Sequence, residues 1–318
     1  MSGTNTGALG SRAIIGQFYA TLEQTQLPAW VGGTSFMVAS NQESETYKWL
    51  GMTPALREWI GGREAKGFRQ NGLEIKNKVF ESTLAISLDD MRRDKTGQIM
   101  TRVDELAVRA ALHPTRLLSD LINAGESTNC YDGQFFFDTD HAEGKSGTQS
   151  NDLVYDISDQ ASGGTATAPT PATIQRAVLQ CVAAIMGFRD DQGEPMNETA
   201  SEFICMVPPA FMGPAITALT STTLSLGEDN PLARPGVGFT VRPAVNPRLT
   251  WTDKLAVFRT DGRVKPFIWQ EEEGVQIQAV AEGSELEFKN REHHYGVTRI
   301  CNAGYGYWQH ACLTTLQA

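Results

Sequence analysis

Residues 130–141 read CYDGQFFFDTDH and end in two carboxylates and an imidazole, Asp138, Asp140 and His141, behind a run of three phenylalanines. Oxygen and nitrogen donors this close can hold a divalent metal or form an acid and base pair. In the competing reading, Phe135, Phe136 and Phe137 anchor the segment in a core while Asp138, Thr139 and Asp140 bond to the turning backbone. A catalytic zinc takes three protein ligands, and the chain contains neither His-x-x-x-His nor His-Glu-x-x-His. The stretch is therefore read as a structural turn built on Asp138, Asp140 and His141. No metal, cofactor or catalytic residue is assigned.

Upstream of this turn, Ile99, Val103, Leu106, Ala107 and Ala110 recur at helical spacing, and Leu117, Leu118, Leu121 and Ile122 continue the stripe to Gly125. Pro114 lacks the N–H that a continuous helix needs, which predicts a kink or two helices. Earlier still, Leu73 and Ile75 alternate with Glu74 and Lys76, and Leu84, Ile86 and Leu88 alternate with Ala85 and Ser87. This predicts a long two-stranded excursion with a basic tip at Arg63, Lys66, Arg69 and Asn71. Such a hairpin is marginal alone in water, so it is expected to pack on a neighbouring subunit. The first helix is expected on Ile14, Ile15, Phe18, Tyr19 and Leu22, ended by Pro28 and followed by a linker.

Downstream, a polar loop leads to Thr170 and Pro171, a cap and first-turn pair that opens a helix closing at Gly187. FICMVPP then reads as a buried strand and AFMGPAITALTS as a helix. GFTVRPAV, LAVFRT, RVKPFIWQ, VQIQAVA, LEFKN and the terminal YGVTRICNAGYGYWQHACLTTL are expected to be strands. Few helices and many strands without a βαβ rhythm predict an α+β fold. His293 and His294 are adjacent, so in a strand they face opposite sides and cannot share one metal; they are expected at the solvent or an interface. The glycines of AGYGYW are read as allowing close strand packing.

The 318 residues carry a net charge of −10, which repels nucleic acid and argues against sequence-specific DNA binding. Five scattered cysteines without a Cys-x-x-Cys pair point to neither disulfides nor structural zinc. No apolar run approaches the roughly 20 residues of a membrane span, and the first residues lack the pattern of a secretory signal, so a cytoplasmic folding site is expected.

The ordered blocks SETYKWLGMTPALREWIGGR, KNKVFESTLAISLDDM, ALHPTRLLSDLINAG, CYDGQFFFDTDH, VKPFIWQ and YGVTRICNAGYGYWQHA resemble the major head proteins of Mu-like bacteriophages and prophages. The resemblance spans nearly the whole chain. It implies the Hong Kong 97 capsid fold, with an N-arm at 1–56 and an E-loop at 57–88. The peripheral domain with its spine helix falls at 89–124, the axial domain at 125–245 and return strands at 246–318. It also implies a non-enzymatic subunit of pentamers and hexamers in an icosahedral shell around double-stranded DNA. A scaffold, a portal and a decoration protein are the implied partners, and the virion, assembled in the host bacterial cytoplasm, the implied location. A Lys66 to Asn71 cross-link, known in one branch of the wider fold family, is not expected, because its partners must lie in other subunits beside a carboxylate in an apolar setting. An encapsulin-like compartment and a metal-dependent hydrolase using the Asp-Thr-Asp-His segment are the alternatives.

Overall fold

The computed structural model of the protein describes residues 10–48, 50, 72–94, 96–158, 164–223, 229–234, 236 and 238–317. In chain order the first half contains α1 (Ser11–Gln24), α2 (Ala29–Thr34), β1 (Ser35–Ala39), β2 (Ser44–Tyr47), β3 (Leu73–Lys76), β4 (Lys78–Ser87), α3 (Leu88–Arg93), α4 (Gln98–Ala111), α5 (His113–Asn123), β5 (His141–Ala142), β6 (Thr148–Gln149) and β7 (Asp152–Asp156). The second half adds α6 (Pro171–Gly187), β8 (Glu202–Val207), α7 (Met212–Thr220), β9 (Thr240–Val245), β10 (Lys254–Arg259), β11 (Phe267–Val280), α8 (Glu285–Asn290), β12 (Glu292–Tyr305) and β13 (Ala311–Gln317).

Two sheets organise the chain, one of four strands in the order β1-β11-β12-β4 and one of five in the order β7-β13-β10-β8-β9. The mixture is α+β, as the strand-rich pattern implies. The smaller core joins α1 to α4 and to one face of the four-stranded sheet through Ile14, Phe18, Val103, Ala107, Ile277 and Tyr295. A larger core buries α6 and α7 against the five-stranded sheet and extends to Phe136, Phe137 and Trp308.

The helix ends follow local chemistry. The Thr170 hydroxyl accepts the Thr173 N–H and Pro171 sits in the first turn, so α6 begins where its sequence signal lies. Leu112 separates α4 from α5, with Pro114 in the first turn of α5, where a missing N–H costs nothing. The stripe is thus two helices.

Several expectations are corrected. First, β3 and β4 do not pair with each other: β3 pairs antiparallel with β2, and β4 pairs with β12 as the edge of the four-stranded sheet. The stem of the excursion is therefore β2 and β3, and alternation alone could not name their partners. Residues 29–39, expected as linker, supply α2 and β1, and β1 lies parallel to β11. Second, LEFKN is helical. The Ser284 hydroxyl accepts the Glu287 N–H at 3.1 Å while the Glu287 carboxylate accepts the Gly283 N–H at 2.6 Å, a Ser-x-x-Glu start signal that outweighs the strand-like residues. Third, the FIWQ end of RVKPFIWQ and residues 275–280 of VQIQAVA belong to the single strand β11, whose register shifts around Glu273 make it bulged. His293 is also buried, while His294 on the other face is half-buried.

The glycines of AGYGYW sit where side chains do not fit. A Cβ on Gly306 would lie 2.3 Å from the Lys265 carbonyl oxygen, and one on Gly304 would lie 2.4 Å from Ile75 Cδ1. Because the obstacle at Gly306 is backbone, Gly306→Ala is expected to cost about 1–3 kcal/mol, read as a lower urea midpoint. A cost below about 0.5 kcal/mol would refute the close approach.

The first turn of α1 is tied to the tip of the β11–β12 hairpin. The Ser11 hydroxyl and N–H donate to the Glu282 carboxylate at 2.6 and 2.9 Å. The Ser11 hydroxyl, followed by the Ser11 N–H, holds the Glu282 carboxyl down at about 2, against an ordinary value of 4.5. A depressed carboxyl stabilises the fold above its ordinary value and loses that contribution as pH falls toward the folded value. The stability gap between the native protein and Glu282→Gln is therefore expected to close between about pH 4.5 and 2. Acid titrations of urea unfolding measure it; a pH-independent gap would refute the link.

Candidate functional site

The quoted stretch folds back on itself so that its first residues meet its last. Cys130 closes a turn with Gln134, its N–H donating to the Gln134 carbonyl at 2.7 Å. This brings Asp132 beside His141. The His141 Nδ1 lies 2.7 Å from Asp132 Oδ2, and the Cys130 thiol donates to Asp132 Oδ1 at 2.9 Å. On the other side of the ring, Nε2 lies 3.2 Å from Asn151 Oδ1. The Asn151 amide nitrogen donates to the Phe136 and Trp308 carbonyls, which fixes its oxygen toward the histidine.

Both ring nitrogens of His141 thus face oxygen partners. His141 and Asp132 form a hydrogen-bonded pair whose side chains are both almost fully buried. Trp308 stacks on the ring at a centroid distance of 3.9 Å and an interplanar angle of 7°. Burial by itself would raise the Asp132 carboxyl, but hydrogen bonds from His141 and Cys130 outweigh it and hold the group below its usual range. Burial, with Asp132 beside it, pushes the Cys130 thiol far up and keeps it protonated.

Cys130, Asp132 and His141 place ligand-type atoms within 4.8 Å of one another, and they are the group of this kind among the described residues. Those atoms are already engaged: each imidazole nitrogen has an oxygen partner, and the thiol proton points to Asp132. A metal would have to displace a complete set of charge-assisted bonds and take the proton of a thiol that burial holds neutral. The arrangement acts as a clasp that pins the turn to the core.

Of the residues singled out in the sequence, Asp138 bonds to the turning backbone, accepting the Phe135 N–H at 3.1 Å and the Thr139 N–H at 2.7 Å. Asp140 does not; it is exposed and has no hydrogen bond or ion pair among the described residues. Asp138, Asp140 and His141 form no ligand group, so the hydrolase arrangement is not assembled. Phe136 and Phe137 are buried, whereas Phe135 is 40% exposed and anchors nothing deep. Sequence reasoning missed Asp132, Asn151 and Trp308 as the partners of His141. Asp132 lay inside the quoted stretch, but the backbone reversal that carries it to His141 has no local pattern. Arg63, Lys66, Arg69 and Asn71 lie outside the described residues.

The family model for the Mu-like prophage major head subunit gpT matches residues 12–167 and 252–317. The major capsid protein of Escherichia phage Mu is 39% identical over 114 residues, 36% of this chain and 37% of that protein. The FluMu major head subunit of Haemophilus influenzae is 37% identical over 130 residues, 41% of this chain and 42% of that protein. The matched stretches therefore span less than half the length of these two relatives. A chain from the procapsid of bacteriophage JBD30 is similar over 100% of this chain and 77% of its own length, with a TM-score of 0.54 and 25% identity. The architecture is the Hong Kong 97-type capsid fold, and the chain belongs to the Mu-like prophage major head subunit family.

Proposed function

We propose that this chain is the major capsid subunit of a Mu-like phage head, assembling through pentamers and hexamers into an icosahedral shell around double-stranded DNA. The observation that supports the reading most is the full-length likeness to a chain of the JBD30 procapsid. A net charge of −10 suits a container that holds DNA without gripping it or reading its sequence. In this reading residues 1–56 act as an N-arm, 57–88 as an E-loop, 89–124 as a peripheral domain with the spine helix on α4 and α5, 125–245 as an axial domain and 246–318 as return strands. The β2–β3 stem carries the excursion whose basic tip, Arg63, Lys66, Arg69 and Asn71, reaches a neighbouring copy. The Asp138 turn and the His141 clasp have a structural role, and no residue is assigned to catalysis.

The partners are further copies of this chain, a scaffold, a portal and a decoration protein; the destination is the virion, with assembly in the host cytoplasm. An encapsulin-like compartment shares the fold, but the family match is to head subunits. Portal and terminase genes beside the gene support the phage reading, whereas a peroxidase or ferritin-like gene there would favour the compartment. Co-expression with the scaffold is expected to give closed shells under the electron microscope. Monodisperse monomers by light scattering, without shells, would overturn the proposal. Deleting Gly62 to Asn71 is expected to leave a folded monomer that forms no stable shells.

A further inference from the structure

The four-stranded sheet ends on β4, ten residues long, and no strand covers its outer edge among the described residues. Most of β4 is exposed, Val79 by 69%, and it contains no proline. An unpaired edge this long is a template for another strand, and folded proteins cover, charge or bend such edges. A cleft of about 650 Å³ borders it, touching the five consecutive residues Phe80 to Leu84. A second cleft of about 330 Å³ continues it from Leu84 to Ile86. The larger cleft reaches inward over Val297 to Arg299 of β12 and Val275 of β11, so it lies between the sheet face and the helices and opens along β4.

The facing wall is helical and basic. Arg102 and Arg109 line the larger cleft from α4, where spacing by seven, close to two turns, keeps them on one face, and Arg116 lines it from α5. Arg102 and Arg109 have no ion pair among the described residues, and Arg116 has only a 3.9 Å contact with Asp120. Glu81 and Glu105 also line the cleft, leaving the arginines in excess, and Leu106 and Val297 add apolar surface. Nucleic acid would meet the arginines but leave the strand edge and the apolar surface unused. A peptide strand with acidic side chains uses all three.

We propose that the outer edge of β4 and the arginine row of α4 and α5 form the receptor half of a contact between copies, taking an extended acidic segment of a second copy as an added strand. The inference rests on the shell reading above and names the surface that serves it. Gathering free arginines here leaves the rest of a chain of net charge −10 still more acidic, so a second copy supplies the complementary charge. Two different patches of one chain meet in such a contact, the head-to-tail kind that closes rings.

Two experiments on shells co-expressed with the scaffold test it. All five native cysteines are buried, so Thr83→Cys on β4 takes a benzophenone maleimide selectively. Shells built from mixed ¹⁴N and ¹⁵N copies of this variant are irradiated and digested. The expected product is an isotope-mixed cross-link between the labelled β4 peptide and an acidic peptide of this chain. Cross-links only to nucleic acid, only to a different protein, or only within one copy would overturn the proposal. Arg102→Glu with Arg109→Glu is expected to leave thermal unfolding of the monomer unchanged and cut shell yield at least tenfold, while Arg102→Lys with Arg109→Lys retains it. Normal shells from the glutamate variant would overturn this contact and leave the shell reading standing; native protein that forms no shells would take down both.

Discussion

Asp132→Ala is expected to destabilise the fold by about 3–5 kcal/mol, because it removes a buried carboxylate that accepts several hydrogen bonds and strands its partners. His141 Nδ1 would lose its partner in a site roofed by Trp308 and shielded from water. The Gln134 N–H loses its acceptor in the same step, and the Cys130 thiol keeps only its longer contact with the Phe135 carbonyl at 3.8 Å. Each unmet buried donor carries a desolvation cost of its own. Urea unfolding followed by Trp fluorescence measures the loss. Asp140→Ala, next to His141 in the chain but exposed, is the matched control and is expected to change stability by less than about 0.5 kcal/mol. Equal effects from the two substitutions would show that the clasp does not hold the turn.

Phe136→Ala is expected to cost a similar amount, about 3–5 kcal/mol, by a different mechanism. Its ring is fully buried, stacked on Tyr305 at 4.5 Å and in edge contact with Phe137 at 4.9 Å, with Phe267 tilted against it at 5.2 Å. Phe267 and Tyr305 are partners in the register of β11 and β12, so the side chain fastens the quoted turn to the sheet. Truncation leaves a cavity among aromatic rings held by strands, which relax poorly into it. Phe135→Ala is the internal comparison, since that side chain is 40% exposed and is expected to cost well under half as much. A Phe135 effect equal to that of Phe136 would contradict the placement.

The parts of the fold legible in the sequence are those that local chemistry controls. Thr170 and Pro171 start α6, Pro114 divides α4 from α5, and the apolar stripes place the buried faces of α1 and α4. In each case the decisive interaction lies within one helical turn. The Ser284 and Glu287 start of α8 was equally local, and reading LEFKN by strand propensity alone overlooked it. Partners distant in sequence were another matter. Leu73 and Ile75 alternate as a strand should, yet nothing in them says that β2, across the excursion, is their neighbour.

For the candidate site, Asp138 and His141 stood out by residue type, but type did not say which would be structural. His141 became intelligible only with Asp132, Asn151 and Trp308 around it, because burial and the hydrogen-bond partners of each ring nitrogen decide whether an imidazole binds metal or sits as a satisfied core side chain. The sequence by itself determined the family, the start of α6, the break between α4 and α5 and the alternation of the strands, since ordered motifs, caps and periodicity are short-range properties. Only the tertiary structure decided which strands pair, which residues surround His141, and that among the described residues no strand covers the outer edge of β4 beside three arginines. Those depend on chain reversals that bring together residues far apart in sequence, and burial, not local preference, sets their energies.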